Sequence, residues 1–357
     1  MHASLRLSSA ARTENDPLLS FHEVRKIYSG DEGGEAPALD GVTLDLAAGE
    51  ILAVIGASGA GKSTLARLAA GLDSPTSGRI SLGGVNLEAD TRRRRAIAML
   101  GPDPDLPPSR TVRDIIEERV VRSGAPQPEA GRALAHLIDL LDIGDDADRR
   151  VETLPRGRRR RAALARALAG GPSLLVLDEA TSALDPEMAA AFLALISRVN
   201  ADSGLTVVLV THDMAAVTAL ARRVAVLENG RVVEEGPTAQ LFSRPGHPVT
   251  RRFAASATGA TLPPFIASKL LESPAPNGRA LIRLAFEGEA ATRPVLTQVA
   301  RDLGFDLGIV AGSLGAAGGE PYGELIVAAP SDEPYFTASV ERLEDAGVGV
   351  EVLGFVV

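Results

Sequence analysis

Short runs of apolar residues without alternation punctuate the first two thirds of the chain: Ile51-Leu52-Ala53-Val54-Ile55, Ala96-Ile97-Ala98-Met99-Leu100, Leu174-Leu175-Val176-Leu177 and Leu205 to Val210. Runs of this length and continuity predict strands covered on both faces, as in a parallel sheet. Between them the apolar positions change period. Leu65 to Leu72 reads as a helix, as does the stretch from Leu154 to Ala169. From Thr111 to Gly144 the residues Val112, Ile115, Ile116, Val120, Leu134, Leu137, Ile138 and Leu141 fall three and four apart, which predicts a helical insert. Leu19 to Val24, Leu39 to Leu46 and a hairpin over Gly78 to Leu87 add shorter strands, and Pro102 to Pro108 breaks regular structure. Met1 to Pro17 is polar and predicted disordered, and Ser29 to Gly34 is predicted to turn.

A second pattern begins after Pro245. Ala, Ser, Pro and Gly dominate as far as Arg279, so residues 251–278 are predicted to be a linker. Then come a strand (Ala280 to Phe286), a helix (Pro294 to Leu303), two strands (Ile309 to Leu314, Tyr322 to Ala328), a helix (Glu333 to Ala346) and a strand (Val348 to Val357). The order βαββαβ predicts a split, ferredoxin-like sheet. The expected organisation is therefore a phosphate-binding α/β domain over 18–250 and a small α+β domain over 279–357.

Composition narrows the function. The chain of 357 residues carries a net charge of −9, which argues against nucleic acid as the main partner despite the runs Arg92 to Arg95 and Arg158 to Arg161. Such runs also suit a solvated helix face. The absence of cysteine excludes disulfides and thiolate chemistry. No apolar run reaches the ~18 residues that span a bilayer, and Met1 to Asp16 lacks the apolar core of a signal peptide. Action at a membrane would need other, spanning subunits.

The chemistry concentrates at the ends of the apolar runs. Gly56, Ala57, Ser58, Gly59, Ala60, Gly61, Lys62, Ser63 and Thr64 follow a strand and open a helix in the pattern G-x-x-x-x-G-K-[ST]. Such a loop closes backbone N–H groups around phosphates, with the lysine reaching the β- and γ-phosphates and the hydroxyl holding Mg²⁺. Lys26 and Lys269 are the other two lysines, so the one at 62 is no accident of composition. Asp178 and Glu179 end one apolar strand and His212 another, where an open α/β sheet places its ligand chemistry. Asp178 suits a Mg²⁺ partner and Glu179 the polarisation of an attacking water. Tyr28 precedes the loop, either to stack on adenine or simply as a strand-end tyrosine.

Together with the loop, Ala165-Arg166-Ala167-Leu168, Leu177-Asp178-Glu179-Ala180-Thr181-Ser182-Ala183-Leu184-Asp185-Pro186 and Thr211-His212-Asp213 resemble the ATP-binding subunit of an ABC transporter, over Leu18 to Phe253. With the βαββαβ unit ending Val350-Glu351-Val352-Leu353-Gly354-Phe355, the chain is similar to the methionine-import ATPase family. The resemblance implies ATP and Mg²⁺ as ligands, Ser63 and Asp178 serving the metal, Glu179 the water and His212 the γ-phosphate. Asp185 would lie on the loop crossing between two subunits. It implies a homodimer, or a heterodimer with another ATP-binding subunit, on two membrane permease subunits at the cytoplasmic face, fed by an extracytoplasmic substrate-binding protein. The carboxyl-terminal unit would dimerise and bind the transported amino acid, or only dimerise.

Three positions depart from the family. Leu154-Pro155-Arg156-Gly157-Arg158 replaces Leu-Ser-Gly-Gly-Gln, with Arg156 or Arg158 as substitute phosphate partners; Pro102 replaces a glutamine; and Gly308 replaces an asparagine. Losing a preorganised donor costs about 10²–10³ in rate. The leading expectation is an ATPase energising amino-acid import. The alternatives are a nucleotide-binding but weakly hydrolytic subunit that needs a competent partner, and a soluble ABC-type ATPase without a permease.

Overall fold

The computed structural model describes residues 17–28, 37–124 and 129–357. The disorder predicted for Met1 to Asp16 and the turn predicted at Ser29 to Gly34 lie outside the described residues. The chain divides into two compact units, one reaching Ala216 with Leu227–Val233, the other formed by Val217–Val226 and Glu234–Val357.

In the first unit, β1 (Leu19–Ile27), β2 (Pro37–Leu46), β4 (Ser77–Leu82) and β5 (Val85–Asn86) make an antiparallel sheet in the order β2-β1-β4-β5. A second sheet holds β3 (Ile51–Gly56), β6 (Ile97–Leu100), β7 (Leu174–Asp178) and β8 (Thr206–Val210) in the order β3-β8-β7-β6. Its pairs are parallel, and every residue of β3, β7 and β8 is buried, which is why their sequences run apolar without alternation. The turn between β9 (Arg223–Glu228) and β10 (Arg231–Pro237) also belongs to this unit.

Register positions the site. Val54 pairs with Val210, and Val210 with Asp178, so the residues that follow in each strand emerge side by side. The first helix of the insert and the helix after β7 carry explicit start signals. Thr111 and Asp114 form a capping box before Val112–Arg122, and Asp185 accepts from the Met188 N–H at 2.9 Å before Pro186–Ser203. Each cap is worth about 1 kcal/mol, and Pro186 at the first helical position needs no N–H partner.

In the second unit β11 (Arg279–Glu287), β12 (Gly308–Ala317), β13 (Glu320–Pro330) and β14 (Gly349–Val356) form an antiparallel sheet in the order β12-β13-β11-β14. With helices Val295–Leu303 and Tyr335–Asp345 this is the expected βαββαβ arrangement. Alternate residues Ile282, Leu284 and Phe286 of β11 and Leu325 and Val327 of β13 meet Val295, Val299 and Leu343 in the core. The predicted linker is a correction in part, because Pro248–Thr258 is helical and groups with this unit from Glu234 onward. Its small residues hid the periodicity. His247 Nδ1 nonetheless accepts from the Val249 N–H at 3.3 Å, Pro248 opens the helix, and Val249 and Ala254 are buried.

Candidate nucleotide site

The loop Gly56 to Thr64 depends on two glycines. Gly61 sits at φ 102°, and a Cβ there would lie 2.3 Å from the Ala38 carbonyl oxygen. A Cβ on Gly56 would lie 2.3 Å from the Leu227 carbonyl oxygen. Both positions therefore admit glycine alone. Helix Lys62–Ala69 starts from Gly61 with no side-chain cap, so its first N–H groups face the loop unclaimed by a capping side chain. Lys62 Nζ donates to the carbonyl oxygens of Gly56 at 2.8 Å and Ala57 at 3.0 Å, lying back across the cradle that a phosphate would fill.

Strand ends bring the acidic residues to the same place. The Ser63 hydroxyl lies 3.5 Å from Asp178 Oδ1. Burial raises the Asp178 carboxyl above its ordinary value, with the neighbouring Glu179 adding to the shift and Ser63 and Lys62 opposing it. A buried carboxylate held up in this way, beside one hydroxyl, suits a divalent cation that takes its remaining ligands from phosphate and water. The Glu179 N–H donates to the Val210 carbonyl at 2.8 Å, and Glu179 adopts φ 50°, an uncommon backbone conformation outside glycine. Its carboxylate accepts from His212 Nδ1 at 2.8 Å and from the Thr211 hydroxyl at 3.5 Å. Thus Lys62, Ser63, Asp178, Glu179 and His212 lie close together at the strand ends.

Tyr28 is placed differently from these. It is 44% exposed, its hydroxyl donates to Asp73 Oδ2 at 2.9 Å, and Lys26 Nζ stands 4.9 Å from the ring centroid. Lys26 also bonds Asp73 at 2.7 Å, so the ring is held by a pair the sequence reading did not single out.

The altered loops are ordered around arginine. Helix Arg156–Leu168 begins after Pro155, also without a side-chain cap. Of the two arginines offered as phosphate partners, Arg158 is held by Asp146 at 3.2 Å and by the Asp142 carbonyl at 3.2 Å, whereas Arg156 is exposed. Arg156 and Arg159 line, with Pro102, Asp103 and Leu184, an open cavity of about 390 Å³. Arg160 is 4% exposed. Its Nε donates to the Ala180 carbonyl at 2.7 Å, and its Nη1 to those of Gly101 at 2.8 Å and Pro102 at 3.0 Å. Desolvation pushes this guanidinium below its ordinary value, with Asp103 nearby opposing the shift. The sequence held a signal for it: Arg160, Ala163, Leu164 and Leu168 form one buried stripe, so one of four consecutive arginines had to face inward.

Residues 39–182 match the ABC transporter family and residues 280–352 the NIL domain. The methionine import ATP-binding protein MetN 1 of Rhodopseudomonas palustris is 42% identical over 339 residues, which are 93% of this chain and 91% of that protein. The chain belongs to the methionine import ATP-binding protein family. A second member, from Cereibacter sphaeroides, is 40% identical over 95% of this chain and 97% of its own length. Among solved structures, the dimeric post-hydrolysis state of the ATP-binding cassette MJ0796 bound to ADP and Pi is 28% identical, with a TM-score of 0.56, covering 61% of this chain and 98% of that one. The fold is that of an ABC-type ATPase with a carboxyl-terminal NIL domain. Nothing in these relationships favours the weakly hydrolytic alternative, and among the described residues no helix is long and apolar enough to cross a membrane.

Proposed function

We propose that the chain binds Mg²⁺-ATP at Gly56 to Thr64 and hydrolyses it to energise methionine import. It would act as a dimer seated on two permease subunits at the cytoplasmic face of the membrane. The observation that carries this reading is the convergence of Ser63, Asp178, Glu179 and His212 on the loop, in a chain 42% identical to a methionine import ATP-binding protein.

Each residue then has a definite task. The N–H groups of the loop and of the uncapped helix hold the phosphates, and Lys62 exchanges the carbonyls of Gly56 and Ala57 for phosphate oxygens. Ser63 and Asp178 would hold a divalent cation, which would supply charge neutralisation for the phosphates. Glu179 orients the attacking water and accepts its proton. His212 fixes one Glu179 oxygen through Nδ1, and in its imidazolium form it would have a second N–H for the γ-phosphate. Tyr28 is the adenine platform, anchored by Asp73. The carboxyl-terminal unit serves dimerisation and regulation by the transported amino acid.

Proteoliposomes carrying the chain with its cognate permease should take up labelled methionine in an ATP-dependent manner. Uptake that persists unchanged in the Glu179→Gln protein, or that prefers an unrelated solute, would contradict the proposal.

A further inference from the structure

We infer that Arg160 is a positioning residue that locks the loop after β6 to the turn after Glu179, and so sets the orientation of Glu179 from inside the domain. This rests on the reading of Glu179 as the group that orients water.

Three observations carry it. Arg160 is buried, yet its charge faces no hydrogen-bonded carboxylate; its bonded acceptors are the carbonyls of Ala180, Gly101 and Pro102. A buried charge is tolerated only where polar groups replace its water, and here they are peptide dipoles from two segments far apart in sequence. Among the described residues its Nη2 is also buried without a hydrogen-bond partner, which costs stability.

The second observation concerns Glu179 itself. At φ 50° its backbone persists only if its surroundings determine it from several sides. The strand supplies one anchor through the Val210 carbonyl, and Ser182 supplies another through its bonds to the Glu179 carbonyl. Arg160 fixes the next peptide at 2.7 Å. Release of that peptide removes one of three anchors that hold this conformation.

The third observation is at the other end of the guanidinium. Pro102 has no side-chain hydrogen-bonding group, so position 102 is held through its carbonyl, beside the Gly101 carbonyl that Arg160 also takes. A single side chain thus reports the position of one loop to the other. On both loops the acceptors are backbone carbonyls, so the linkage does not depend on the side chain at position 102.

The test uses the full chain with Arg160→Met and Arg160→Lys, the second keeping the charge and the fold while reaching fewer carbonyls. Amide hydrogen exchange without nucleotide should rise together in Asp103–Leu106 and Ala180–Leu184 in Arg160→Met, and less in Arg160→Lys. Turnover should fall about 10–100-fold in Arg160→Met, with nucleotide Kd changed less than about twofold and partial recovery in Arg160→Lys. In a Glu179→Gln background the same substitution should lower the residual rate no further, since groups acting as one unit are not additive. Exchange rising in one segment only, loss of nucleotide affinity in step with turnover, or a full additional fall in the Glu179→Gln background would each overturn the inference. A wild-type chain without turnover would overturn the hydrolytic reading instead, and the paired exchange would still decide the role of Arg160.

Discussion

Two ends of the first unit are built from different groups. At the carboxyl ends of β3, β7 and β8 side chains meet side chains: Ser63 lies 3.5 Å from Asp178, and His212 2.8 Å from Glu179. Across the unit, around Pro102 and Leu154-Pro155-Arg156-Gly157-Arg158, backbone carbonyls meet arginines. The first arrangement can hold a cation, bind phosphate and move a proton. The second braces loops. The difference shows that sequence change at a loop need not empty the space around it, because a peptide carbonyl survives any substitution and needs only a donor to find it.

The largest effect should come from the first end. Lys62→Ala removes the charge that replaces two carbonyl contacts with phosphate contacts, and steady-state hydrolysis is expected to fall by at least about 10³-fold. A fall of less than about tenfold would show that the loop's backbone alone holds the phosphates and would erase the contrast between the two ends.

Pro102→Gln probes the second end. If position 102 is held through its carbonyl, restoring the family's side chain should change kcat by less than about tenfold. A gain of about 10² or more would show that the missing side chain, not the bracing, limits turnover.

A buried carboxylate away from the site supplies a control for reading substitutions within it. Glu324 on β13 is 3% exposed, and burial raises its carboxyl above the ordinary glutamate value in spite of Arg283, Thr258 and Arg251. The folded state therefore keeps this proton to higher pH than the unfolded chain does. Its contribution to stability is fullest below the unfolded pKa and is lost as pH rises through the raised folded value. Glu324→Gln retains an acceptor for Thr258 and should be more thermostable than wild type at pH 8, with the difference vanishing in acid. The reverse order at pH 8 would show that the charged form is the one the fold prefers. Smaller still is Gly308→Asn. A Cβ there meets Ala328 Cβ at 3.8 Å, an ordinary contact, so unfolding stability should change by no more than about 0.5 kcal/mol. A loss of several kcal/mol would mean that this chain's β12 has no room for the family's asparagine.

Legibility in the sequence followed the physics of each element. The parallel strands could be read because burial on both faces selects apolar residues along nearly their whole length, and the phosphate loop because Gly56 and Gly61 stand where a Cβ would strike a carbonyl. Helix Pro248–Thr258 could not, since alanine, serine and threonine carry no strong apolar period and its start depends on His247. Arg160 was hidden in a charge run that composition assigns to solvent, although its spacing from Leu164 and Leu168 pointed inward. The Tyr28–Asp73 contact joins residues 45 apart and leaves no local trace.

The central claim, that the altered loops leave a working catalytic end, is tested most directly by phosphate release from the purified chain with Mg²⁺-ATP. Glu179→Gln serves as the comparison, with nucleotide binding measured on both proteins. The account predicts equal binding and a wild-type rate about 10²–10³ above the variant. Equal binding with no release above Glu179→Gln would contradict it, and would leave a nucleotide-binding subunit that needs another chain to turn over.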